Sequence, residues 1–202
     1  KLSIQRLIKL KSNNPEAFDQ KFEAISEGLL EQIDILSNTA SEFSSYAKFY
    51  VEQSGLFDLY SLLKEQVAMF DNRENLRISF TSDIENALVF ARKGQIVRVV
   101  VNLLTNAIQA LEQSDVKGFI KVSLIAEGNF YYVGVEDNGD GVSQDNLGRL
   151  FSPNFTTKSS GNGLGLAISR SIIEQSGGKI GYKKSDLGGA CFEFSLPIYK
   201  PN

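Results

Sequence analysis

The chain has 202 residues, enough for one large domain or a medium domain with an appendage, and its 21 Lys and Arg against 24 Asp and Glu give a formal charge of -3. That balance leaves no electrostatic footprint for nucleic acid or an anionic membrane, and no run of about 18 apolar residues suggests a membrane span, so a soluble, cytoplasmic chain without nucleic-acid or direct membrane contact is expected. A single cysteine, Cys191, and the absence of histidine exclude an internal disulfide, leave too few soft ligands for zinc, and remove the Ser-His and Cys-His nucleophile pairs.

In chain order, Leu2, Ile4, Leu7, Ile8 and Leu10 form a short helical pattern that stops at the turn signal Ser12-Asn-Asn-Pro15. Residues 18–53 contain no Pro and a single Gly, and Phe18, Phe22, Ile25, Leu29, Ile33, Leu36, Ala40, Phe43, Ala47 and Tyr50 recur at steps of three or four. At ~1.5 Å per residue that helix extends roughly 50 Å and needs a partner along its whole stripe. The two helices are expected to form a hairpin over residues 1–54. Its short first arm suggests both dimerisation and a chain that begins inside that arm; an ordinary antiparallel helix pair is the plainer alternative.

Beyond a seam at Gln53-Ser-Gly-Leu56 the pattern becomes mixed. Asp58 is placed to cap a helix over Leu59–Phe70, and further helices are expected at Gln95–Gln113 and Gly165–Gln175. Strand patterns occupy Leu76–Thr81, Ala87–Ala91, Phe119–Ala126, Tyr131–Glu136, Lys179–Lys183 and Ala190–Leu196. Short turns at Glu127-Gly-Asn129 and Ser185–Gly189 favour hairpins. The expected fold of residues 55–202 is α+β, a two-layer sandwich whose mixed, largely antiparallel sheet carries helices on one face.

Three polar clusters stand at element boundaries. Asn102 and Asn106, four residues apart in an apolar helix, point the same way, while Val99, Val100, Leu103, Leu104, Ala107, Ile108 and Leu111 are available to the core. An amide oxygen is a hard neutral ligand suited to Mg²⁺, although two amides satisfying backbone groups explain the pair equally well. Asp137-Asn-Gly-Asp-Gly141 ends a strand in an acidic turn; its carboxylate can accept from an exocyclic amine such as that of adenine, or the motif is simply a tight turn. Calcium-loop chemistry is disfavoured because the spaced closing Glu is missing. Finally, Lys158-Ser-Ser-Gly161-Asn-Gly163-Leu-Gly165-Leu166 opens into a helix, an arrangement that presents backbone N–H groups to phosphate. A lone glycine-rich stretch of this kind also occurs in linkers, and it is neither a P-loop nor a Rossmann fingerprint.

In this order the motifs resemble the ATP-binding domain of sensor histidine kinases, within the GHKL (Bergerat) family that includes gyrase, the Hsp90 chaperones and MutL. Asn102-Leu-Leu-Thr-Asn106-Ala is similar to the N box, Asp137-Asn-Gly-Asp-Gly141 to the G1 box, Phe151 with Phe155 to the F box, Gly161–Leu166 to the G2 box, and Gly188-Gly-Ala-Cys-Phe192 to a final glycine turn. Leu2–Leu7 and Asn38–Ala47 resemble the dimerisation and phosphotransfer hairpin of NtrB- and NtrY-type kinases. There a His-Glu-Ile-Lys-Asn-Pro-Leu-Thr-Pro motif with the phospho-accepting histidine comes just before the segment similar to Lys1-Leu-Ser-Ile-Gln. The resemblance thus implies a fragment beginning just after that histidine and unable to autophosphorylate.

The resemblance further implies ATP and Mg²⁺ as ligands, with Asn106 holding the metal and Asn102 supporting it. Asp137 would select adenine, with Gly139 and Gly141 allowing close approach. Phe155, Thr157, Lys158, Gly161, Gly163, Leu164, Gly165 and Leu166 would line the nucleotide site beneath a lid, with Lys158 near the γ-phosphate; Asn106 and Lys158 would be the catalytic pair. A response-regulator receiver domain and a second copy, joined through the hairpin, are the implied partners. Gln109 replaces a frequent basic residue, and Ala190 replaces a frequent hydroxyl. The competing readings are a GHKL-type ATPase, disfavoured because Asn102 stands where those enzymes carry an acid, and a degenerate nucleotide-sensing or dimerisation scaffold.

Overall fold

The computed structural model describes residues 22, 25–28, 53–70, 75–112, 117–156 and 163–201. The chain divides into two compact units, Lys1–Tyr50 and Val51–Asn202. In the first, the described residues 22 and 25–28 are helical; the rest of the expected hairpin lies outside the described residues.

The second unit runs β1 (Gly55–Asp58), α1 (Leu59–Phe70), β2 (Leu76–Ser82), β3 (Leu88–Ala91), α2 (Lys93–Leu111), β4 (Gly118–Glu127), β5 (Phe130–Asp137), a 3₁₀ turn (Gln144–Arg149), α3 (Gly165–Gln175), β6 (Ile180–Lys184) and β7 (Ala190–Pro197). Five strands form one sheet in the order β2-β4-β5-β7-β6, and β1 and β3 form a separate antiparallel ribbon. In the large sheet β2 runs parallel to β4 and every other neighbour pair is antiparallel. This is the expected α+β sandwich.

The sheet closes over the helices through one apolar face. Ile120, Val122 and Leu124 of β4, Val133 and Val135 of β5, and Phe194 and Leu196 of β7 are buried on one face, and α2 answers them with Ile96, Val99, Val100, Leu103, Leu104, Ala107, Ile108 and Leu111. Each fully buried side chain of this size contributes about 1.5–3 kcal/mol, so the α2–sheet layer dominates the unit's stability. The β-branched residues of α2 lower its intrinsic helix preference, and packing outweighs them.

Two elements depart from expectation. Residues 55–58 form a strand rather than a bare seam, because Leu56 pairs with Phe90 and Phe57 with Val89 across the ribbon. Helix α2 begins at Lys93, two residues before the expected Gln95, after Arg92 in extended conformation.

Asp58 ties the ribbon to α1. Its carboxylate accepts from Tyr60 N at 3.2 Å, Ser61 N at 3.1 Å, and Ala87 N at 2.7 Å, so one side chain caps α1 and fixes the segment leading into β3. Burial pushes this carboxyl up, but the bonds from the Ser61 hydroxyl and the three backbone N–H groups outweigh it and hold it below the usual range. A lowered folded value stabilises the protein above the unfolded value near 3.9, and that contribution disappears as pH falls through the folded value. Asp58→Ala is therefore expected to cost about 1 kcal/mol in urea unfolding at pH 7, with the gap to the parent narrowing below about pH 3.9.

Candidate functional site

The α2 helix is the axis of the site. Asn102 and Asn106 are half-buried on it, flanked by the core residues Leu103, Leu104 and Ala107. Four residues before Asn106, the Asn102 amide Nδ2 donates to Ser169 Oγ of α3 at 3.0 Å. Four residues after Asn106, Ala110 abuts the turn that follows β5: a Cβ on Gly139 would stand 3.5 Å from Ala110 O. Asn106 thus lies one helical turn from each contact, and the two contacts are about 12 Å apart along the axis.

At the β5 end, Asp137 is 2% exposed, and its Oδ1 accepts from Gly139 N at 3.0 Å and from Ala190 N at 3.1 Å. The second donor sits at the start of β7, so the carboxylate joins two loops that are 53 residues apart in sequence. Gly189 makes this approach possible: a Cβ there would stand 2.6 Å from Gly139 N and from Asp137 O, and would collide with Asp137 Oδ1. Gly141, at φ 74, passes within similar reach of Gly189 O, where an added Cβ would stand 3.2 Å away. Asn138 completes the turn by accepting from Phe119 N at 2.7 Å and donating to Lys117 O at 3.1 Å.

At the α3 end, Gly163 has φ 64, and an added Cβ would stand 2.6 Å from both Asn154 C and Phe155 N. The backbone at Phe155 and the backbone entering α3 are therefore in contact. Phe155 is half-buried against the core, with the Arg149 guanidinium 4.8 Å over its ring; Phe151 packs edge-on against Phe192 at 6.4 Å. Leu164 precedes the first turn of α3 with no side-chain cap, and Gly165 and Leu166 open the helix, so among the described residues no capping side chain occupies that end. Of the expected site residues, Thr157, Lys158 and Gly161 lie outside the described residues.

The structure thus brings Asn102 to Gly165, Asp137 to Gly139, and Phe155 to Gly163, with Asn106 between the first two groups. It also adds three participants that composition and spacing did not single out: Ser169, the Gly189 backbone and the Ala190 N–H. Gly189 and Ala190 belong to the glycine turn named from the sequence, and Ser169 left a trace as a hydroxyl one turn after Gly165 on the same helix face. Among the described residues no three His, Cys, Asp or Glu side chains cluster as a metal site, and no helix is long and apolar enough to cross a membrane.

A mixed sheet backed by three helices, with a buried carboxylate beside the last turn of α2 and a glycine-opened helix packed on its middle, defines an ATP-binding domain of the two-layer sandwich class. The chain belongs to the histidine kinase-, DNA gyrase B- and HSP90-like ATPase family, whose model matches residues 91–200. Among curated relatives it is 40% identical over 129 residues to the sensor protein FixL of Bradyrhizobium diazoefficiens, covering 64% of this chain and 26% of that protein. It is 30% identical over 177 residues to the sensor histidine kinase ZraS of Escherichia coli K12, covering 86% of this chain and 37% of that protein. The chain therefore spans well under half the length of these relatives. The solved catalytic domain of the histidine kinase ThkA superposes with a TM-score of 0.65 at 33% identity, covering 72% of this chain and 96% of that one. ThkA in complex with the response regulator TrrA gives 0.69 at 27% identity, covering 98% of this chain and 57% of that one.

The Gly189 approach is directly testable. Gly189→Ala is expected to displace Asp137, lower nucleotide affinity at least tenfold and cost about 1–3 kcal/mol of stability. Gly181→Ala, whose Cβ would meet nothing within 4 Å, should change neither calorimetric ATP binding nor the melting temperature.

Proposed function

We propose that this chain is the catalytic part of a sensor histidine kinase, which transfers the γ-phosphoryl of ATP to a histidine for relay to an aspartate of a response-regulator receiver domain. The observation that carries the reading is the Asp137 carboxylate, buried and oriented by two backbone N–H groups beside Gly139. A carboxylate held this way accepts from the adenine amine and rejects a base that presents a carbonyl there. Its burial raises the cost of leaving it unmatched.

The donor chemistry around α2 fits Mg²⁺. Asn106 offers one neutral oxygen donor between the adenine end and the α3 amides, and Mg²⁺ in such sites takes few protein ligands and the remainder from phosphates and water. Bound there, the ion would supply charge neutralisation for the phosphoryl oxygens. The chain's own contribution is positioning: Asp137 fixes the base, Gly139 and Gly141 admit it closely, and the backbone from Gly163 to Leu166 meets the phosphates at a helix N-terminus. Lys158, with Thr157 and Gly161, belongs to the lid of this reading, and Lys158 would meet the γ-phosphate as a mobile cation.

Residues 1–54 are read as the dimerisation and phosphotransfer hairpin, through which two copies associate and a receiver domain docks; the ThkA–TrrA complex supports such a partner. The setting is cytoplasmic. No histidine occurs among the 202 residues, so the phosphoryl acceptor is not among them. Asn102, an amide, has no proton-accepting carboxylate with which to activate water, which argues for phosphoryl transfer to a side chain over a clamp-type ATPase.

Two results are expected. Calorimetry should give micromolar Mg-ATP affinity with a clear preference over Mg-GTP, and Asp137→Asn should abolish it; no binding at millimolar ATP would establish a scaffold instead. Incubated with γ-labelled Mg-ATP, the 202-residue chain should acquire no acid-labile, alkali-stable phosphate, whereas a histidine-bearing partner hairpin from a related kinase should acquire it.

A further inference from the structure

Three residues of α3 are buried, and Ser169 is the only polar one, at 1% exposure. Its hydroxyl donates to Gly165 O at 2.9 Å and accepts from Asn102 Nδ2 at 3.0 Å. A hydroxyl has one hydrogen. Once that hydrogen is given to Gly165, only lone pairs face Asn102, so the amide must turn its NH₂ toward Ser169. The amide oxygen is thereby turned to the other side, against Gly165, where an added Cβ would collide with Asn102 Oδ1 and stand 3.1 Å from Asn102 Cγ. Asn102, Ser169 and the first residue of α3 thus interlock.

This interlock has a consequence for the site. The leading N–H groups of α3 and the Asn106 amide approach the same ligand from two helices, and their separation is set by how α3 sits on α2. Core packing through Ile172 and Ile173 holds the far part of α3. At the near end the Asn102–Ser169 hydrogen bond joins the two helices. We propose that Ser169 is a positioning residue of the nucleotide site, which acts through Asn102 to hold the α3 N-terminus at the phosphate-binding distance from Asn106. The proposal rests on the ATP reading above. In it Asn102 serves as a strut between helices, and the Gly165 position admits no side chain because that strut occupies the space.

A packing role alone and a positioning role differ in what they do to different parts of the nucleotide. Loosened phosphates weaken ATP and leave adenosine, held through its base, untouched; a damaged fold weakens both. The test measures Mg-ATP and adenosine affinities by NMR titration, with thermal melts, for the parent, Ser169→Ala, Asn102→Ala and the double variant. Ser169→Ala should weaken Mg-ATP about tenfold with adenosine unchanged, the size expected when one partner of a buried hydrogen bond is removed. In the Asn102→Ala background the Ser169 substitution should have no further effect on Mg-ATP, because its route is gone. Equal losses for both ligands, an unchanged Mg-ATP affinity, or a Ser169 effect that persists without Asn102 would each overturn the proposal. If the alanine variant melts before titration, Ser169→Cys, close in volume and a weak acceptor, replaces it with the same expectations. A parent that binds no Mg-ATP would overturn the kinase reading itself, an outcome distinct from any of these.

Discussion

The rest of the site depends on a single buried carboxylate. Asp137 sits at the end of the central strand β5, almost sealed from solvent, and one of its oxygens is held by N–H groups from its own turn and from the start of β7. A buried carboxylate without such donors would be costly and would tend to neutralise. The two donors offset that cost, keep the group pointing in one direction, and require a glycine at position 189 for the second loop to come close enough. The carboxylate therefore sets the geometry of both loops at that end of the sheet, and the proposed preference for adenine rests on it.

Helix α2 transmits that geometry to the other end. Its core face is so fully packed against the sheet that its polar face has little freedom to move. Along that face stand Asn102, Asn106 and the backbone at Ala110, one turn apart; Asn102 meets α3, Ala110 meets the Gly139 turn, and Asn106 lies between them. The α3 helix is fixed at Asn102 by Ser169, and the backbone entering it is fixed at Phe155 by Gly163. One long helix thus spaces the Asp137 turn from the start of α3, the two ends of the proposed nucleotide site.

Much of this was legible in the sequence because it rests on patterns with a physical period. The period-two runs of β4, β5 and β7 and the apolar face of α2 identified the sheet and its covering helix, and the seven residues expected in the α2 core are all buried. The N box, the acidic glycine turn and the glycine-rich helix start pointed to the candidate site, since each needs particular residue types. Less legible were contacts made by backbone or by distant pairing. Strand β1 is four residues long with no residue fully buried, and its two apolar residues are adjacent, so no alternation marked it against a seam. The parallel β2–β4 pairing joins residues 42 apart and leaves no local signal. Ala190 drew notice only for lacking a hydroxyl, whereas its contribution is an N–H that any residue but proline supplies.

The claim on which all of this converges is that one nucleotide lies along α2, with its base on Asp137 and its phosphates between Asn106 and the α3 N-terminus. A crystal structure of the chain with Mg²⁺ and a non-hydrolysable ATP analogue tests it most directly. The expected result is the adenine amine within hydrogen-bond reach of the Asp137 carboxylate, the metal on Asn106 Oδ1, and the phosphates facing the first turn of α3. A nucleotide seated elsewhere on the domain, or one bound here with its base away from Asp137, would contradict the account.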